Sequence, residues 1–312
     1  MLDKFKKLSN QQSSYKTFLG AGMQLLYGRL AGDVFPWYVN YAITNKCNLR
    51  CPYCYIEIND YTKKDPSLDE VKEVLEGLYK LGTRYVCLLG GEPFYRHDLA
   101  EIIMFIKKNL KNMIIAISTN GVLIDRNLDV IRMVNKLTVS VEGDKERHDY
   151  DRFNEKGEGS YDKIIKNLWL LKENNIKHFS IQTTVSTNTY DAWEHVVHLA
   201  KDLECSVLIT EVAPHPDDDL HEANLTPEQL QSLWLRIYEM KKQGYPIENS
   251  FDSISQTLKF NEYVGPYKIF YDYEEMPGPL KEMAESNKTC SMGKFGLFLD
   301  TDGTFYRCAT LF

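Results

Sequence analysis

Six short β-branched and aromatic segments punctuate the chain, and each but the last is followed by enough residues for a helix and a return. They are Tyr38–Thr44, Arg84–Leu89, Met113–Ile117, Leu137–Val141, Phe179–Val185 and Cys205–Glu211. Between the first two, Leu68, Val71, Val74, Leu75, Leu78 and Tyr79 fall at helical spacing with charges among them, which predicts a helix over 68–80. The same pattern predicts helices over 99–108, 128–134, 161–174 and 191–203. A strand that leaves through a helix and comes back in the same direction makes a parallel pair. The chain is therefore read as α/β with a parallel sheet. Periodicity leaves two arrangements open, a doubly wound open sheet and a curled partial barrel. In both, ligands gather at the C-terminal ends of the strands.

After Glu211 the rhythm breaks. Residues 213–219 form a polar loop, Leu230, Leu233, Trp234, Ile237 and Tyr238 mark a helix over about 227–243, and 295–308 reads as a hairpin turning at Asp302-Gly303. Three units are expected: an N-terminal amphipathic helical segment at 1–36, a barrel-sized unit at 37–213, and a smaller α+β module at 214–312. With 43% hydrophobic residues the chain can fill such a core. A net charge of −7 argues against a nucleic-acid partner, since phosphate-backbone binders are usually basic. No apolar run approaches the roughly 20 residues of a membrane span. The N-terminus lacks a secretory signal, so a cytoplasmic location is expected.

Of the seven cysteines, Cys47, Cys51 and Cys54 fall within eight residues, directly after the first strand. An odd total without a secretion signal argues against a disulfide framework. Three thiolates on a loop can take three corners of a 4Fe–4S cubane and leave one iron open to an exogenous ligand. A structural zinc site is the alternative, but it needs a fourth ligand and none lies nearby in sequence. Cys87 and Cys205 sit inside predicted strands and read as buried apolar residues.

The order CxxxCxxC-aromatic, Gly90-Gly91-Glu92-Pro93, Ser118-Thr-Asn-Gly121, Ser140-Val-Glu-Gly143, His148-Asp-Tyr-Asp-Arg152 and Gly159-Ser-Tyr161 resembles the radical S-adenosylmethionine (radical SAM) superfamily. Within it, the chain is similar to the subgroup with SPASM or twitch C-terminal modules. The resemblance runs from about Trp37 to Val212. It implies a partial (β/α)6 TIM-like barrel, a 4Fe–4S cluster on Cys47, Cys51 and Cys54, and S-adenosylmethionine (SAM) as cofactor. It assigns the SAM amino group to Gly90, Gly91 and Glu92, and the SAM carboxylate to the planar fork of Arg152. Asn120 and Ser140 are ribose or carboxylate partners, and Tyr55 lies against the adenine; local turn bonding and aromatic packing are the alternatives for these.

Cys290 and Cys308 look like the opening of a SPASM or twitch module, where such a pair begins an auxiliary metal site. Two thiolates do not hold a cubane, so one cluster is expected in this chain. Around residues 14–31, apolar side chains at helical spacing among lysines read as a helix packed on the barrel, or as an interfacial helix making peripheral membrane contact at the inner membrane face. The expected activity is reductive cleavage of SAM and hydrogen abstraction from a lipid-like or other small-metabolite substrate. Maturation of a ribosomally made peptide is the alternative. A non-catalytic iron–sulfur or zinc-stabilised protein is the alternative of another class. An electron donor such as flavodoxin or ferredoxin is the expected partner.

Overall fold

The computed structural model describes residues 36–54, 64–212, 223–251, 253–254, 257 and 296–306. Tyr55, the amphipathic segment near 14–31, the loop at 213–219, Cys290 and Cys308 lie outside these residues.

The strands are β1 (Tyr38–Ala42), β2 (Tyr85–Leu89), β3 (Ile114–Thr119), β4 (Lys136–Ser140), β5 (Phe179–Val185) and β6 (Ser206–Glu211). Each pairs in parallel with its neighbour in sequence, from Tyr38↔Tyr85 at the start to Val185↔Glu211 at the end. A doubly wound sheet reverses its strand order at a switch point. Here the order runs without reversal from β6 to β1, as it does in a barrel. The curled partial barrel is therefore the arrangement adopted.

Consecutive residues such as Val86-Cys87-Leu88 and Ile114 to Ile117 are all buried, so both faces of the sheet are covered. The outer cover comes from α1 (Leu68–Lys80), α2 (Leu99–Asn109), α3 (Leu128–Met133), α5 (Tyr161–Glu173) and α6 (Trp193–Leu203). Ser67 and Glu70 close a reciprocal capping box on α1, and Val71, Leu75 and Leu78 form its buried stripe. A further helix, α4 (Lys145–Asp151), follows β4. Its sequence carries no apolar stripe; its buried side chains are His148 and Asp151.

Beyond β6, α7 (Pro227–Lys242) starts at a second capping box, Thr226 with Gln229. The chain then runs along the β6 edge. The amide of Asn249 donates to the Ile209 carbonyl at 2.8 Å and accepts from the Ile209 N–H at 2.9 Å. Covered edges do not recruit foreign strands. At the other end, β7 (Gly296–Leu299) and β8 (Phe305–Tyr306) form the predicted antiparallel hairpin. β7 also pairs in parallel with β1, from Tyr38↔Gly296 to Tyr41↔Leu299. This hairpin thus extends the main sheet, and Phe298 and Leu299 are buried in it.

Candidate active site at the C-terminal rim

The cysteine loop leaves β1 at its C-terminal end and is held from several sides. Asp65 accepts from the Thr44 hydroxyl at 2.7 Å and the Asn45 N–H at 2.8 Å. A buried, bidentate Arg96–Asp98 pair donates its remaining arm to the Ile43 carbonyl at 2.6 Å. Arg50 anchors the middle of the loop, donating its N–H to the Phe153 carbonyl at 2.7 Å and pairing with Glu155.

The turn after β2 presses directly on this loop. The N–H of Gly91 donates to the Thr44 carbonyl at 2.7 Å, and that of Glu92 to the Lys46 carbonyl at 2.8 Å. A Cβ on Gly90 would stand 2.3 Å from the Thr44 oxygen, and one on Gly91 would stand 2.3 Å from the Lys46 oxygen. Gly90 also has φ +137°, a conformation side chains rarely adopt. Both glycines are therefore needed so that the backbone can lie against the cysteine loop.

Two buried carboxylates fasten the rim. Glu92, fully buried, accepts from the Phe94 N–H (3.0 Å), the Thr119 hydroxyl (2.7 Å) and the Asn120 N–H (2.8 Å). It thereby ties the end of β2 to the end of β3. Burial pushes its carboxyl up to about 7, against the pull of these donors. Glu142, equally buried, accepts on Oε1 from Tyr53 (3.1 Å) and from Arg152 Nε and Nη2 (3.0 and 2.6 Å). Its Oε2 accepts from the Thr184 N–H (2.6 Å) and the Thr183 hydroxyl (3.3 Å). Glu142 therefore joins β5, the Arg152 guanidinium, and Tyr53, which lies between Cys51 and Cys54.

Below it, the Glu142 N–H donates to His148 Nδ1 at 3.0 Å. This bond assigns the ring proton to Nε2, which faces Ser160 Oγ at 3.1 Å; that hydroxyl donates to the Arg152 carbonyl at 2.8 Å. Burial, with the charges of Arg152 and Lys145, holds His148 down at about 3, so it stays neutral.

The structure brings Cys47, Cys51, Cys54, Gly90, Gly91, Glu92, Asn120, Ser140 and Arg152 to this one rim. Ser140, at the end of β4, is partly exposed. The Asn120 amide is already engaged, donating to Asn48 Oδ1 at 2.8 Å and to Cys47 Sγ at 3.7 Å, and accepting from the Val122 N–H at 3.0 Å. Glu142 and Tyr53 carry no role in the sequence reading. The available signal was an acidic residue within three positions of a strand's C-terminal end, which Glu142 shares with Glu92.

The donor set fits an iron–sulfur cubane. Burial pushes the Cys47 thiol up to about 11 and raises Cys51 as well, with the Leu49 N–H and Arg152, respectively, pulling the other way. Such thiols become ligands by giving up protons to a strongly binding metal. Thiolates are the soft donors that iron–sulfur clusters take. A cubane takes each thiolate at a separate iron. One further donor, Asn45 Nδ2, is buried at the start of the loop with no partner among the described residues.

The profile of the Radical SAM superfamily matches residues 41–200, just over half of the chain. A GTP 3',8-cyclase of Clostridium perfringens (strain SM101 / Type A) is 32% identical over 146 residues, 45% of this chain and 44% of that protein. The Fe-coproporphyrin III synthase of Methanosarcina barkeri is 33% identical over 137 residues, 43% of this chain and 34% of its own length. The chain thus spans less than half the length of these curated relatives. Among solved structures, Streptococcus suis SuiB bound to precursor peptide SuiA gives a TM-score of 0.67 at 14% identity, covering 95% of this chain and 65% of SuiB. Native anSMEcpe with bound AdoMet gives 0.61 at 21% identity, covering 88% of this chain and 75% of that one. At these identities the structural likeness speaks for the fold, and it is the same curled barrel. Together with the sequence match, which takes in the cysteine loop and every rim motif through Gly159-Ser-Tyr161, this establishes that the chain belongs to the radical SAM superfamily.

Proposed function

We propose that this protein cleaves SAM reductively at a 4Fe–4S cluster held by Cys47, Cys51 and Cys54, and uses the resulting radical to abstract hydrogen from an organic substrate. The observation that carries the reading is the cysteine loop itself, placed at the C-terminal end of β1 and braced by the Gly90-Gly91-Glu92 turn. When bound, the cluster and SAM supply a one-electron cleavage that yields methionine and a 5'-deoxyadenosyl radical.

The chain's own residues position these groups. Gly90 and Gly91 let the backbone approach closely enough to meet the SAM amino group, with the Glu92 carboxylate behind them. Arg152 spends Nε and one Nη2 bond on Glu142. Its remaining N–H groups are the ones available to the SAM carboxylate. Because Glu142 also holds Tyr53, the carboxylate grip and the cysteine loop are fixed to one anchor. Ser140 stands at the neighbouring strand end as a SAM contact, and Tyr55 follows the loop as a partner for the adenine. Cys290 and Cys308 supply only two thiolates toward an auxiliary site, too few for a second cubane, and one cluster is expected in this chain.

For the substrate, a lipid-like or other small metabolite remains the first reading. The curated relatives bear small-molecule names, GTP 3',8-cyclase and Fe-coproporphyrin III synthase. Peptide maturation is the second reading, favoured by the likeness over 95% of the chain to SuiB with its precursor peptide. A low-potential donor such as a flavodoxin or ferredoxin would supply the electron. Among the described residues no helix is long and apolar enough to cross a membrane; a cytoplasmic location with peripheral contact at the inner membrane face belongs to the small-metabolite reading. Anaerobic reconstitution with iron and sulfide, then dithionite and SAM, tests the proposal through release of 5'-deoxyadenosine. Stimulation by a lipid and metabolite extract supports the first substrate reading, and stimulation by a peptide extract the second. No 5'-deoxyadenosine from a reconstituted protein refutes the cleavage itself.

A further inference from the structure

We infer that Asn120 sets the reduction potential of the cluster from the side of Cys47, by donating a hydrogen bond to that cysteine's sulfur. The inference rests on the reading of Cys47, Cys51 and Cys54 as cluster ligands.

Cys47 is the most enclosed of the three, with 8% of its surface exposed, whereas Cys51 and Cys54 are only half-buried. Among the described residues, two N–H groups point at its sulfur: the Leu49 backbone at 3.4 Å and Asn120 Nδ2 at 3.7 Å. The first comes from the loop's own backbone, and any residue there but proline would supply it. The second comes from the residue that follows β3 and depends on the side chain. Asn120 is held firmly for this task. Its N–H donates to Glu92 Oε2 at 2.8 Å, and its Oδ1 accepts from the Val122 N–H at 3.0 Å. An acceptor must face that N–H, so the amide's orientation is fixed and both Nδ2 hydrogens face the cysteine loop. One meets Asn48 Oδ1 at 2.8 Å and the other meets Cys47 Sγ.

Reduction adds one negative charge to the cluster, and that charge spreads over the sulfurs. A hydrogen bond to sulfur stabilises the reduced form more than the oxidised form, which raises the potential. In a site screened from water the effect is larger than in solvent. Asn120 thus acts on the cluster through the Cys47 sulfur and is not itself a ligand.

The sign of the shift separates this role from a structural one. Losing the donor lowers the midpoint. Loosening the loop admits water, which also stabilises the reduced form and so raises the midpoint. The experiment is a redox titration of the reconstituted protein without SAM, followed by EPR of the reduced cluster, for the unmodified chain and for Asn120→Leu. A lower midpoint at equal iron per monomer is the expected result. An unchanged or higher midpoint overturns the inference. If Asn120→Leu assembles no cluster, Asn120→Ala and Asn120→Ser take its place, and a lower midpoint in the assembled fraction of either is still required; absence of assembly in all three assigns Asn120 to loop structure and overturns the inference. A reconstituted unmodified chain without a 4Fe–4S signal refutes the cluster reading itself, whereas a normal signal with an unmoved midpoint refutes only the role of Asn120.

Discussion

Glu142 and Arg152 form a buried ion pair in which every acceptor site of the carboxylate is used, and neither partner tolerates the loss of the other. Breaking such a pair from one side leaves an uncompensated charge, at a cost of about 3–5 kcal/mol. Arg152→Leu should therefore destabilise the fold by about that amount, and adding Glu142→Gln should recover part of it, a coupling of about 0.5–3 kcal/mol. Denaturant unfolding of the four forms checks this; strictly additive effects would contradict it. His148 gives a pH signature. Its ordinary value of 6.5 is held down to about 3 in the fold, so the unfolded chain takes up a proton that the folded chain refuses. The stability it protects is complete above pH 6.5 and is lost as pH falls toward 3, at up to about 1.4 kcal/mol per pH unit. His148→Gln should flatten that acid limb in unfolding free energies measured across the window; an unaltered slope would show that His148 does not carry it. The three cysteines proposed as ligands, Cys47, Cys51 and Cys54, stand out by spacing alone. Glu142 does not, because the groups it joins come from β5, the cysteine loop and Arg152, which no local pattern brings together.

The elements were legible where a period writes them. All six strands and the helices with an apolar stripe stand where the sequence places them, within a residue or two. α4 was missed because Lys-Glu-Arg-His-Asp-Tyr-Asp has no stripe; it buries polar groups that serve the rim. The hairpin at the C-terminal end was foreseen, but its parallel pairing with β1 is a long-range choice that local residues do not encode. The turn after β2 gives the sharpest test at this level. Gly91→Ala places a Cβ 2.3 Å from the Lys46 backbone oxygen, and backbone cannot step aside as a side chain can. Overpacking of this kind costs about 1–3 kcal/mol and here displaces the cysteine loop. The variant should keep the far-UV dichroism of the barrel but bind less iron on anaerobic reconstitution. Full iron content would show that the close approach is dispensable.

Across the molecule, the sequential strand order puts the loops after β1 to β5 on one rim, and this collects residues more than 100 positions apart around the cysteines. The sequence left barrel and doubly wound sheet open; strand order decides it. What the barrel does follows from whether the three thiols hold a cluster that cleaves SAM. The decisive measurement is 5'-deoxyadenosine released after anaerobic reconstitution, with dithionite and SAM, by the unmodified chain and by Cys47→Ala, Cys51→Ala and Cys54→Ala. The unmodified chain should hold about four irons per monomer and release 5'-deoxyadenosine, and each variant should release none because the cubane lacks a corner ligand. Undiminished release from any one of the three variants would contradict the assignment of the site.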